Sequence, residues 1–84
     1  MEKLTDLPNI GPVLAGNLEK AGIDTPDRLR ELGAEEAFLR IRAQVDPAAC
    51  FHQLTALAGA EAAVPKKALS QAKKQALRSF FDSL

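Results

Sequence analysis

The clearest opportunity for chemistry in this 84-residue chain is Pro8-Asn9-Ile10-Gly11-Pro12. Two prolines and a glycine within five residues force a tight turn, and Pro12 suits the first position of a helix, where no N–H is needed. A turn that opens a helix can aim several backbone N–H groups at one point, a geometry that holds phosphate. Asn9 tolerates the left-handed backbone region better than most residues. Gly11 would let a ligand come close to the backbone. Asn9, Ile10, Gly11 and Val13 are therefore the candidate contacts for a phosphate or a DNA backbone.

Phosphate-binding turns of the helix-hairpin-helix type typically read apolar-Pro-Gly-Ile-Gly-Pro-Lys-x-Ala. The corresponding string here is Leu7-Pro8-Asn9-Ile10-Gly11-Pro12-Val13-Leu14-Ala15, with Asn9 at the first glycine and Val13 at the lysine. Charge dominates phosphate affinity. The turn thus keeps the geometry and lacks the cation, which favours a structural hairpin packing two helices over a phosphate clasp.

The second candidate is the basic set Lys66, Lys67, Lys73, Lys74 and Arg78. Residues 62–81 carry these five bases and no acid, whereas residues 1–36 carry four bases and eight acids. The basic set could meet nucleic acid or an acidic protein surface; a solvated helix face is the plainer reading. The hairpin lies on the acidic side of the sequence, opposite to the sign a phosphate site would want. Base stacking would fall to Phe38, Phe51, Phe80 and Phe81, which all sit on apolar helical stripes.

Cys50 and His52 are each the only residue of their type. No partners stand at metal-ligand spacing, and no metal or cofactor is expected. Cys50 reads as a small core residue. His52, two positions along a helix, should point away from it into solvent, so a Cys–His catalytic pair is not formed. Thr25 and Ser70 serve better as helix caps than as nucleophiles. No catalytic site is expected, and the chain does not read as an enzyme.

Length and composition frame these residues. Eighty-four residues make one domain, residues 1–84, with a small core. Hydrophobic residues at 46% suit a globular chain, and formal net charge is zero. A single cysteine excludes an internal disulfide and points to a reducing compartment. The N-terminus has no signal-peptide character, and no apolar run reaches the ~20 residues of a membrane span. A cytoplasmic location away from membranes is the expectation.

Everything periodic has helical spacing, which predicts an all-α bundle of five to six short helices with a helix-hairpin-helix-like element at about residues 4–23. Leu4 and Leu7 predict a short first helix before Pro8. Leu14, Leu18 and Ala21 stripe the second, stopped by Gly22. Thr25-Pro26-Asp27 starts a third with Leu29 and Leu32 inward, ending at Gly33. Glu35 and Glu36 lead a fourth that buries Ala37, Phe38 and Ile41, with Val45 next on that side. Asp46-Pro47 predicts a fifth helix from about Pro47 to Glu61, with Cys50, Leu54, Leu57 and Glu61 on one stripe. Within it, Gly59 costs about 1 kcal/mol relative to alanine, which suggests either a close helix approach or fraying. After the break at residues 62–65, the last helix should run from near Ser70 to about Ser83, burying Leu77, Phe80 and Phe81, with Leu84 as a further candidate, and exposing Lys73, Lys74 and Arg78.

Two strings together are more specific than either alone. The first is Leu7-Pro8-Asn9-Ile10-Gly11-Pro12, followed by Leu18, Gly22-Ile23-Asp24-Thr25, Leu29, Leu32-Gly33-Ala34 and Glu36-Ala37-Phe38. The second runs from Cys50 to Ala60 and reads Cys-x-x-x-Leu-x-Ala-Leu-x-Gly-Ala. The combination resembles the C-terminal domain of the TfoX/Sxy family, over about residues 4–81. Proteins of that family are linked to natural competence and DNA transformation in bacteria. Longer members have a separate N-terminal domain, so the resemblance implies a stand-alone copy. It also implies an all-α fold with a helix-hairpin-helix-like element and a regulatory, non-enzymatic role. The leading expectation is an adaptor acting by protein–protein contact through an exposed apolar or basic strip on the last two helices. The alternative is weak, sequence-independent DNA binding by the hairpin and the distal lysines. A homodimer that covers apolar surface is a further expectation for so small a core.

Overall fold

The computed structural model describes residues 2–84, which form five α-helices and two short 3-10 turns with no strand among them. The helices are α1 (Pro12–Lys20), α2 (Pro26–Leu32), α3 (Ala34–Gln44), α4 (Phe51–Glu61) and α5 (Gln71–Asp82); the 3-10 turns span Leu4–Asp6 and Lys66–Ala68. The all-α expectation holds.

Local chemistry sets most boundaries where the sequence places them. Thr25 accepts a hydrogen bond from the Arg28 N–H at 3.1 Å, and Ser70 accepts one from the Lys73 N–H at 3.1 Å. These are N-caps, each of which satisfies a donor that the helix cannot. Gly33 closes α2 and opens α3 at φ 83°, ψ 160°, a conformation that side chains resist. One residue thereby turns the chain between two helices.

Two boundaries depart from the periodicity. The segment before the hairpin is a single 3-10 turn, not an α-helix, because Pro8 leaves it too little length to propagate. α4 begins at Phe51, four residues later than Asp46-Pro47 suggested. Asp46 instead ties a turn, accepting from the Ala48 N–H at its Oδ1 and from the Ala49 N–H at its carbonyl, both at 3.0 Å. Cys50 is consequently the exposed N-cap of α4 and not a core residue, and Ala49 fills the buried position beside it.

α4 is the centre of the bundle and touches α2, α3, α5 and the second 3-10 turn. Every residue from Leu54 to Ala60 is buried, not just one stripe. Its alanines and Gly59 make the helix narrow and apolar on all sides, so neighbours can close around it. Leu18, Ile23, Leu29, Phe38, Ile41, Leu54, Leu57 and Leu77 are the large, fully enclosed side chains. α5 buries only Leu77 completely, and Leu84, beyond its end, is exposed and not part of the core because the helix stops at Asp82. Its half-buried Phe81 reaches Phe38 and Phe51, with ring centroids 6.0 and 5.5 Å away. No helix among the described residues is long and apolar enough to cross a membrane.

Candidate functional site

The hairpin turn is tied from inside the protein. Asn9 adopts the left-handed region at φ 70°. Its side-chain amide donates to the Val64 carbonyl at 3.0 Å and, weakly, to the Ala56 carbonyl at 3.5 Å. Its Oδ1 accepts from the Lys66 N–H at 3.0 Å. The side chain is thus spent on holding the turn against α4 and the connection to α5. Gly59 makes this closeness feasible. A Cβ there would collide with Asn9 Nδ2 and lie 2.8 Å from the Val64 carbonyl oxygen. The glycine therefore marks a close approach, made by Asn9 of the hairpin together with Val64 and Lys66 of the connection to α5, and not by another α-helix.

The other hairpin candidates divide by burial. Ile10 is a core residue. Gly11 is extended at φ −92°, faces open space, and caps α1 with no side-chain bond. Val13 is 79% exposed, the most exposed large hydrophobic residue among those described. The Asn9 bond places the main chain of Lys66 directly behind this turn.

The basic set is not one surface. Lys73 lines a hollow with Gly33, Glu35 and Glu61, among carboxylates. Lys66, Lys67 and Lys74 line a second hollow with Phe51, His52 and Thr55. Lys74 and Arg78 line a third with Phe51, Thr55, Gln71 and Gln75. The last two share Phe51, Thr55 and Lys74, and so form one continuous groove between α4, α5 and the Lys66–Ala68 turn. No carboxylate lines it. The helical period explains the split, since adjacent residues on α5 point about 100° apart. Lys74 and Arg78, four apart, share a face; Lys73 does not.

Within the groove, the Arg78 guanidinium sits 5.2 Å above the Phe51 ring and 5.9 Å from Phe81, and it pairs with Asp82 at 3.1 Å. The three lysines form no ion pair among the described residues. The acidic N-terminal half differs. There Arg30 bridges Glu2 and Asp27, Arg28 pairs with Glu31, and Arg40 pairs with Glu36. Those contacts are exposed and each contributes little. Lys3, Lys20, Arg42 and Lys73 also form no ion pair among the described residues, but the groove gathers three unpaired lysines in a lining without a carboxylate.

Phe51, Thr55, Gln71 and Gln75 had no signal in the sequence as groove residues. The spacing Gln71-Lys74-Gln75-Arg78 does lie on one helical face with no apolar residue, and that marks it as outward. Which helix borders it is decided by packing. Glu61 is a second residue the sequence misplaced. Its Oε1 accepts from the Ala34 N–H at 2.9 Å and so caps α3 from another helix.

The model of the TfoX C-terminal domain matches residues 1–81. Two crystal structures of Listeria monocytogenes proteins are close in fold and sequence. One, described as an uncharacterized protein in a triclinic form, is 45% identical with a TM-score of 0.95, covering 98% of this chain and 92% of that one. The other, described as a protein of unknown function in a tetragonal form, is 46% identical with a TM-score of 0.92, covering 95% of this chain and 96% of that one. No curated protein matches. With the match extending from the first residue to the last helix, the chain belongs to the TfoX C-terminal domain family.

Proposed function

We propose that this domain is a non-enzymatic adaptor in a competence-related regulatory setting, acting by protein contact through the groove between α4 and α5. Membership of a regulatory-type family supports the setting. The observation that carries the contact surface is the groove itself, a carbon-floored concavity edged by Lys66, Lys67, Lys74 and Arg78 with no carboxylate in its lining. Interfaces combine apolar cores with polar rims in this way, and arginine and aromatic residues are common among their anchors. Affinity capture from the protein's own cells tests it. A partner retained by the wild type and lost by the Lys74→Glu/Arg78→Glu double variant is the expected result. Absence of any partner, or equal retention by the variant, overturns the reading.

A second reading, weak duplex DNA binding, draws on the α1 N-terminus, which lacks a side-chain cap beside the exposed Gly11. Open space at Gly11 means Gly11→Ala leaves the fold undisturbed. If the turn holds phosphate, that variant binds duplex DNA more weakly at low salt, and affinity falls steeply as salt rises. No binding at micromolar protein in low salt eliminates this alternative.

A further inference from the structure

The groove's chemistry narrows what can occupy it. The stretch between Phe51, Thr55, Gln71, Lys74, Gln75 and Arg78 is almost wholly carbon and forms an open hollow of about 290 Å³. Small-molecule pockets typically span roughly 300–1,000 Å³, so this space takes a large side chain and little more. Beside it, Lys66, Lys67 and half-buried Lys74 offer three ammonium groups without ion-pair partners among the described residues. A purely apolar occupant would crowd those charges without compensating them. A polyanion lacking apolar groups would leave the carbon floor unfilled. A nucleobase stacks on an open aromatic face, and the Phe51 ring carries the Arg78 guanidinium over one face at 5.2 Å and the Phe81 ring against it at 5.5 Å, which leaves carbon surface for an aliphatic side chain more readily than a face for a base.

We infer that the groove recognises a short acidic segment of a partner protein, with one large apolar side chain seated against Phe51 and Thr55 and flanking carboxylates meeting Lys66, Lys67 and Lys74. The inference rests on the adaptor reading above and adds the chemistry of the partner. Charge complementarity carries it: the lining holds four cations and no acid, and Arg78 alone is paired. Lysine stems extend the carbon surface while their ends stay in water, so one residue can serve both the floor and the rim.

Two measurements on the full chain decide it. In the first, a photo-crosslinker at Gln75 is activated in the protein's own cells and the captured segment is sequenced. An acidic segment with a large apolar residue is expected. A captured protein segment without acidic residues overturns the inference and leaves the adaptor reading standing. Captured nucleic acid, or no capture at all, overturns both. In the second, a labelled 12-residue peptide of alternating Glu and Leu is titrated against the protein, with a poly-Glu peptide and a 12-base-pair duplex as comparators. The Glu-Leu peptide should bind and shift the amide signals of residues 51–55 and 71–78. Lys66→Glu and Lys74→Glu should each weaken it about fivefold to tenfold, as expected for loss of a rim ion pair on an apolar anchor. Equal or tighter binding of poly-Glu or duplex, or shifts confined to the hairpin turn, refutes the assignment.

Discussion

Gly59→Ala and Gly16→Ala are the same substitution in two helix interiors, and they should have opposite signs. In an unhindered helix the change gains up to about 1 kcal/mol from propensity. At Gly16 nothing lies within 4 Å of the added methyl, so the gain should be realised. At Gly59 the methyl would overlap Asn9 Nδ2 and press on the Val64 carbonyl oxygen at 2.8 Å and the Lys66 Cα at 3.2 Å. Two of those atoms belong to main chain, which cannot swing aside. Overpacking of this kind costs about 1–3 kcal/mol. Displacing Asn9 also breaks its two good hydrogen bonds, to Val64 and from Lys66, at about 1 kcal/mol each. After the propensity gain, the expected net loss at Gly59 is about 2–4 kcal/mol. Domains of this size shift by roughly 4–8 °C per kcal/mol, so thermal unfolding by circular dichroism should show a fall of at least about 8 °C for Gly59→Ala and a small rise for Gly16→Ala. Asn9→Gly keeps the positive φ and removes the obstructing amide. Combined with Gly59→Ala, it should cost less than the two single losses together, by about 1 kcal/mol. If Gly59→Ala raises the melting temperature as Gly16→Ala does, or if the pair is strictly additive, the hairpin does not pack on α4 as described.

Three further outcomes follow from the same geometry. Ala63 closes α4 at φ 60°, with the Val64 N–H donating back to the Gly59 carbonyl at 2.9 Å; Ala63→Gly should stabilise by about 1 kcal/mol in urea unfolding. Cys50 is an exposed N-cap without a side-chain bond, so Cys50→Ser should add about 0.5–1 kcal/mol, and the native thiol should react with a thiol reagent without prior unfolding. Glu61→Ala removes the only side-chain cap on α3 and should cost about 1 kcal/mol, whereas Glu61→Gln, which can still accept the Ala34 N–H, should lose only a few tenths.

The parts of the fold legible in the sequence are those written in neighbouring residues. Thr25 and Ser70 cap helices because their hydroxyls reach an N–H three residues on. Asn9 turns the chain because its own backbone tolerates φ 70°, and the leucine and phenylalanine stripes state their helices through a 3.6-residue period. The family resemblance was legible too, since it rests on strings of residues in order. Asp46-Pro47 misled because an Asp–Pro pair opens a turn as readily as a helix, and only the packing of Ala49 shows where α4 starts.

What tertiary structure alone decided are the pairings across long stretches of chain. Asn9 meets Lys66 across 57 positions and Glu61 meets Ala34 across 27. Neither partner carries a local sign of the other. The same holds for the basic set, which reads as one run but divides when α5 lies on α4, sending Lys73 to the carboxylates and Lys74 to Phe51. Short-range order is set by backbone sterics and hydrogen-bond reach, which each residue carries with it. The groove exists only because α5, packed on α4 where Phe81 meets Phe51, leaves a hollow bordered by Thr55, Gln71, Lys74 and Gln75, and a hollow is a property of the packing and of no single residue.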